Sequence, residues 1–379
     1  MSIPHIRSVA EIRPGRDPGA YLDELLSYVA HVGASDLHVT VPSPPVLRLE
    51  GRLAALGELP PIGPDVVQAM FQHVASDEQR AAFDRELELD FAYSLSGIAR
   101  FRVSAMQQRG TKSLAFRRVP FVVPSIEDMG LPQICKQFVV KPRGLLLITG
   151  ACGSGKSTTL AAMLRYLNET QARNVVTIED PIEFLFHNDK CFIRQRELGN
   201  DTKTFYSALI HALRHDPDVI VIGEMRDLPT IGTALTAAET GHLVIGTMHT
   251  IDAAQSVDRI LDIFPAAQQQ QIRLQFSQVL EGVLSQVLLP RLGGGRVAAF
   301  EIMPATEGIR RIIREGKLGE IAVNLEQGAA EGKQSMNQAL ADLVKRKIVA
   351  PEEALMKSGN PARLKEMIAK SSDGRPSGY

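Results

Sequence analysis

Residues 145–168 read LLLITGACGSGKSTTLAAMLRYLN, and this stretch decides the fold. Its first five residues form a strand candidate that is apolar on both faces, as in a sheet covered on both sides. A glycine-rich turn follows, after which apolar residues recur at helical spacing. Gly150-Ala-Cys-Gly-Ser-Gly-Lys156-Ser157 fits the pattern G-x-x-x-x-G-K-[ST]. It stands between a strand and a helix, which is the setting that gives the pattern meaning. The glycines allow backbone N–H groups to turn inward on a polyphosphate, and the helix N-terminus adds partial positive charge. Gly150, Cys152, Gly153, Ser154, Gly155, Lys156, Ser157 and Thr158 are therefore the predicted nucleotide-binding set. Lys156 is expected to reach the β- and γ-phosphates and the Ser157 hydroxyl to hold Mg²⁺, with ATP as the nucleotide. The alternative, a glycine-rich turn carrying an exposed lysine, does not explain why motif, strand and helix coincide.

Further apolar runs follow at VVTI (175–178), VIVI (219–222) and LVIGTM (243–248), separated by helical stretches. This alternation predicts a parallel sheet in an α/β domain, whose ligand lies beyond the carboxyl ends of the strands. Each run ends in reactive residues: Glu179-Asp180-Pro181, then Glu224, then His249. Glu224 is the candidate to orient and polarise the attacking water; the bland reading is a strand-end carboxylate paired with Arg226. Gly223 stands where an Asp ordinarily precedes such a glutamate. Magnesium must then rely on Ser157, the phosphates, water and Glu179 or Asp180, unless those two only form a turn before Pro181. His249 is a candidate γ-phosphate contact. His242, at the near end of its run, is open between a catalytic and a structural role.

The preceding sequence differs in kind. A helical stretch at Tyr21–Val32 leads into strand candidates at 36–41, 46–49, 90–94, 100–105 and 114–118, with helices near 65–73 and 77–85. That pattern predicts a small α+β domain over residues 1–120. FVVPSIEDMGLP opens a linker at 121–134, and the ATPase domain occupies 135–379, turning helical beyond Pro304, with a polar break near 328–334 and a frayed tail after Lys370. Arg102 and Arg117 lie on adjacent strand candidates of the first domain and can neutralise phosphate charge. Arg100, Arg109 and Arg118 compete with them on sequence alone.

A net charge of −1 gives no broad basic footprint for nucleic acid. Cys135, Cys152 and Cys191 are scattered, which suits a reducing compartment better than disulfides or zinc. No signal-peptide run and no 18-residue apolar stretch occurs, so a cytoplasmic location is expected.

The chain resembles the secretion ATPase superfamily, and within it the type IV pilus retraction ATPases, the PilT and PilU group. The matching text spans nearly the whole chain: SDLHVT (35–40), ARFRVSA (99–105), GSGKSTTLAAM (153–163), TIEDPIEF (177–184), DPDVIVIGEMRD (216–227), TAAETGHLVIGTMHT (236–250) and GGGRVAAFEI (293–302). The resemblance implies a PAS-like first domain and a RecA-like second one. It also implies catalytic roles for Glu224, Lys156, His242 and His249, and a γ-phosphate contact from Arg102 and Arg117. It further implies a homohexamer on the cytoplasmic side of the inner membrane, acting through a platform protein and thereby on pilin, with a related ATPase as a possible partner and no nucleic acid. The retraction-type segment Ala-Ile-Arg-Asn-Leu-Ile-Arg-Glu stands here as GIRRIIRE (308–315), departing at Gly308 and Arg311. Ile309, Ile312 and Ile313 are expected to pack on the core, leaving Arg310, Arg311 and Arg314 for a neighbouring subunit or the platform protein. The rival readings are a pilus-assembly or type II secretion ATPase, and a RecA-like nucleic-acid motor.

Overall fold

The computed structural model describes residues 7–15, 17–49, 51–119 and 122–369. The frayed tail expected after Lys370 and residue 121, the start of the expected linker, lie outside them. The chain divides into two compact units, Met1–Val122 with Pro181–Leu185, and Val123–Asp180 with Phe186–Tyr379.

In the first unit, α1 (Pro18–Val32) precedes β1 (Asp36–Thr40), β2 (Val46–Leu49) and β3 (Arg52–Ala55). Helices α2 (Pro64–Val74) and α3 (Asp77–Glu86) follow, then β4 (Glu88–Leu95), β5 (Ala99–Gln108) and β6 (Thr111–Val119). The six strands form one antiparallel sheet in the order β3-β2-β1-β6-β5-β4. Alternate residues of β5 and β6 (Phe101, Val103, Ala105, Leu114, Phe116) are buried with Leu22, Leu25, Leu26 and Val29 of α1 and Met70 and Phe71 of α2. Period-two burial of this kind leaves the other face of the sheet polar.

The second unit runs through α4 (Ile134–Val139), β7 (Gly144–Thr149), α5 (Lys156–Thr170), β8 (Asn174–Glu179), β9 (Phe192–Glu197) and α6 (Phe205–Ala212). It continues with β10 (Val219–Ile222), α7 (Leu228–Glu239), β11 (Leu243–Met248), α8 (Ala253–Asp262), α9 (Ala266–Val279), β12 (Leu280–Pro290) and β13 (Arg296–Pro304). Short helices α10 (Glu307–Glu315), α11 (Ile321–Gln327), α12 (Met336–Lys345), α13 (Pro351–Lys357) and α14 (Pro361–Ala369) complete it. The sheet order is β13-β12-β7-β11-β10-β8-β9, parallel except for the β12–β13 hairpin. Strands β7, β10 and β11 are buried at every residue. Their apolar runs feed a cluster on each face of the sheet, one around Leu145, Ile220 and Val244, the other around Leu146, Val221 and Ile245. Ile126 and Leu131, within the expected linker, belong to the second of these clusters.

Three strands of this sheet were not legible as strands. β9 (FIRQRE) is a polar edge, and β12 begins at the residue after α9 ends, with no turn to mark the change. β13 pairs with β12 and places Glu301 in the interior, where its carboxylate accepts the N–H of Ala253 at 2.7 Å, the first residue of α8. Burial pushes the Glu301 carboxyl up to about 7, although hydrogen bonds from Ala253 and Met336 oppose that rise.

Candidate functional site

The loop 150–155 leaves the carboxyl end of β7 and enters α5, the geometry predicted from the motif. Gly155, the residue before α5, has φ 92°, and no side chain caps the helix N-terminus. A non-glycine residue is strained there, and the uncapped turn is suited to an anion. The loop also lies tight against β12: a Cβ at Gly150 would stand 2.3 Å from the carbonyl oxygen of Gln286. Gln286 is buried, accepts the Thr159 hydroxyl at 2.7 Å and donates to the Ser154 carbonyl at 2.7 Å. Beside it, Ser285 accepts the Thr149 hydroxyl at 2.9 Å. These two polar residues inside VLSQVLL brace the loop, and sequence reasoning missed them. Their signal was polar side chains interrupting an apolar run. Ser154 Oγ is buried without a hydrogen-bond partner, a polar atom poised for a phosphate oxygen.

The carboxyl ends of β10 and β11 bring three of the predicted residues together. Lys156 Nζ donates to the carbonyls of Gly150 (2.7 Å) and Ala151 (3.1 Å) and faces His249 Nδ1 at 3.3 Å. His249 Nε2 lies 3.1 Å from Glu224 Oε2. An ammonium only donates and a carboxylate only accepts, so the neutral Nε2–H tautomer of His249 satisfies both contacts. Glu224 is also held by the guanidinium of Arg226. Burial raises the Glu224 carboxyl, but the hydrogen bonds from Arg226 and His249 outweigh it and hold the group below the usual range. The carboxylate is therefore ionised at neutral pH and fixed in direction, the condition for accepting a proton from water.

Gly223 has a steric reason. A Cβ there would lie 2.9 Å from the Ile178 carbonyl oxygen and 3.1 Å from Glu179 Cα, because β10 runs hard against the end of β8. Thr247 donates its hydroxyl to the Gly223 carbonyl, tying β11 to the same point.

Glu179 ends β8, its Oε1 accepting from Thr177 (2.6 Å) and Gln195 (3.1 Å), while Asp180 is exposed. Among the described residues no group of three His, Cys, Asp or Glu side chains stands together to hold a metal. The donors at hand are the Ser157 hydroxyl and the carboxylates of Glu179 and Asp180. All are hard oxygen ligands, which fit Mg²⁺ when phosphate and water supply the remainder. Cys152 is exposed in the loop.

His242 is not brought to this site. It precedes β11 at the amino edge of the sheet, the length of a six-residue strand from His249, about 20 Å. Its Nδ1 meets the Ala237 carbonyl at 3.0 Å, the satisfied structural arrangement.

In the first unit, Arg102 and Arg117 face each other directly across β5 and β6, both exposed. Like charges opposed in this way repel. Each has a carboxylate: Arg102 pairs with Asp90 at 3.2 Å and Arg117 with Asp36 at 2.8 Å. Burial raises the Asp36 carboxyl, but hydrogen bonds from Arg117 and Ser35 hold it below its ordinary value.

On α10, Ile309, Ile312 and Ile313 are buried as the helical spacing predicts. Arg310 departs from expectation. Its guanidinium donates to the carbonyls of Ser277 (2.6 Å) and Gln278 (2.8 Å), closing the C-terminus of α9, where cations are favoured. It is therefore taken up within its own subunit. Arg311 and Arg314 stay on the surface, in pairs with Glu315 and Glu307.

Residues 20–294 match the family described as Type II/IV secretion system protein. That is well over half of the chain. The chain belongs to this family. It is 46% identical to the type IV pilus retraction ATPase PilT of Pseudomonas aeruginosa, over 90% of this chain and 98% of that one. To the type IV pilus ATPase PilU of the same organism it is 36% identical, over 93% and 92%. A crystal structure of the pilus retraction motor PilT with bound ADP superposes with a TM-score of 0.84 at 42% identity, covering 90% of this chain and 98% of that one. The chain is accordingly an ATPase of the retraction group, built from an α+β first unit and an α/β nucleotide-binding second unit.

Proposed function

We propose that the chain is the force-generating motor of type IV pilus retraction, a homohexamer that works on pilin through an inner-membrane platform protein. The observation that carries the retraction reading is the 46% identity to the retraction ATPase PilT along 90% of the chain, and the run of contacts Lys156–His249–Glu224 at the sheet edge where the phosphate loop opens supports ATP hydrolysis. In this reading Lys156 and the loop N–H groups hold the β- and γ-phosphates. The Ser157 hydroxyl would hold Mg²⁺, with the Glu179 and Asp180 carboxylates as the further hard oxygen donors at hand. Bound Mg²⁺ supplies charge neutralisation on the transferring phosphoryl group. Glu224 orients water in line with the γ-phosphate, and His249 keeps its carboxylate aimed while reporting the γ-phosphate to Lys156. Arg102 and Arg117 contribute the guanidinium pair that stabilises the transition state. His242 has no part in this chemistry. The greater identity to PilT than to PilU supports the motor itself over an accessory ATPase. Among the described residues no helix is long and apolar enough to cross a membrane.

A strain lacking the protein tests the direction of work. Retraction predicts cells that carry excess surface pili and do not twitch, restored by the wild-type chain but not by Lys156→Ala. Bald cells would instead assign the chain to pilus assembly.

A further inference from the structure

On the α6 side of the second sheet, at its β9 edge, a cavity of about 540 Å³ opens between strand and helix. It is lined by Val176, Arg194, Arg196, His211, Ala212 and His215. Four of these six are basic or imidazole side chains, and none is a carboxylate. The nucleotide loop leaves β7, four strands away from β9, roughly 19 Å across the sheet. The two sites are therefore separate.

The sheet explains how the cavity arises. Arg194 and Arg196 are paired with Val176 and Ile178 of β8, on the face where Ile178, Ile220 and Ile222 pack against Ala208 and Leu209 of α6. On an interior strand those two positions would be apolar. On β9 they carry guanidinium groups under the flank of α6. Charges pointing inward from an edge strand can serve only to block edge-to-edge pairing. That role asks nothing of how the charges are held.

Here they are held. Arg194 donates to Asn174 Oδ1 and to the His215 carbonyl, both at 2.9 Å, and its guanidinium stacks 5.1 Å over the Phe192 ring. Asn174 in turn donates to the carbonyls of His215 (2.9 Å) and Asp216 (2.5 Å), which fixes the turn after α6. Arg196 is anchored through the Asp201 carbonyl at 2.8 Å. Arg194 Nη1 also lies 3.2 Å from His215 Nδ1. A guanidinium can only donate, so Nδ1 accepts and the proton of His215 sits on Nε2 as a further donor. His211, exposed near the end of α6, adds an imidazole from the helix side. Braced donors with no carboxylate among the lining residues, in a cavity of ligand size, describe an anion site.

We propose that this cavity is a second anion site, taking a small phosphate-bearing ligand apart from the ATP site. Arg196 supplies the fork, His215 and His211 supply single donors, and Arg194 is the brace that positions His215. Phosphate chemistry is favoured because planar guanidinium and imidazole N–H groups match its several oxygens.

Pyrophosphate, titrated calorimetrically into the full-length protein saturated with Mg-ADP, tests the proposal. The wild type is expected to bind one further equivalent while ADP stays in place. Arg196→Gln and His211→Gln should each weaken that binding about tenfold or more, the worth of one charge-assisted hydrogen bond, with ADP affinity unchanged. His211 is exposed, so its variant carries the test if Arg196→Gln does not fold. Pyrophosphate binding that ADP abolishes, or that both variants retain at wild-type strength, overturns the proposal.

Discussion

Replacing Gly223 with aspartate restores the residue that ordinarily precedes the catalytic glutamate of a nucleotide-hydrolysing strand, yet this structure predicts damage. The added Cβ would stand 2.9 Å from the Ile178 carbonyl oxygen and 3.1 Å from Glu179 Cα. An ordinary carbon–oxygen contact needs about 3.3 Å or more. Both obstructing atoms are backbone, and Gly223 N is itself bonded to that carbonyl at 2.7 Å. Neither rotamer change nor side-chain retreat can relieve the overlap, so β8 must move. Overpacking of this kind costs about 1–3 kcal/mol. For a unit of this size that lowers the melting temperature by roughly 2–4 °C per kcal/mol. Gly223→Ala carries the same Cβ and should lose most of the same stability. Gly223→Asp should lose more, since its carboxylate joins Glu179, Asp180 and Glu224. Turnover should fall in both variants, because the displaced end of β8 carries Glu179. Thermal melts and steady-state ATPase assays on the two variants and the wild type measure this. A Gly223→Asp protein that melts within a degree of wild type and hydrolyses ATP as fast would refute the steric account.

Three further outcomes follow from particular contacts. Arg310→Ala should destabilise the second unit by about 1–2 kcal/mol through loss of the α9 carbonyl contacts, whereas Arg314→Ala, on an exposed pair, should change denaturant stability by less than about 0.5 kcal/mol; retraction assays then belong on Arg311 and Arg314. Glu301, buried with its carboxyl raised to about 7, binds its proton more tightly folded than unfolded. Its contribution is thus present in full below the unfolded value and fades as pH rises through about 7. Glu301→Gln should flatten the loss of stability between pH 5 and 8 in denaturation curves, and an unchanged slope would contradict the assignment. Arg102→Ala and Arg117→Ala should slow turnover while leaving ADP affinity near wild type in titration; equal losses for ADP and ATP would mark them as general phosphate ligands.

Much of the second unit was legible because its signals are local. LLLIT, VIVI and LVIGTM are buried on both faces, and each run ends where the fold needs chemistry. Ile309, Ile312 and Ile313 declare one helix face by spacing alone. What escaped depends on partners distant in the chain. Gln286 braces the phosphate loop from more than 130 residues away, and only the polar break in VLSQVLL marks it. Arg310 looked free because helical spacing separates it from the isoleucines, but α9 ends beside it and its carbonyls claim the guanidinium. The histidines of GHLVIGTMH differ in fate only because a six-residue strand separates them, which puts His249 on Lys156 and leaves His242 at the other edge.

The role proposed for Glu224 is to act on water, beyond its pairing with Arg226. Glu224→Gln is nearly isosteric, and its amide oxygen in the place of Oε2 can still accept from Arg226 Nη2 and His249 Nε2 while the second Arg226 contact is lost, so it removes the basic charge with little change of shape. Comparing ATP binding with single-turnover hydrolysis in this variant is the most direct measurement. Near-normal ATP affinity is expected, with hydrolysis slowed by about 10²–10⁴-fold, the worth of a general base. Hydrolysis at the wild-type rate, or ATP affinity lost in proportion to rate, would contradict it.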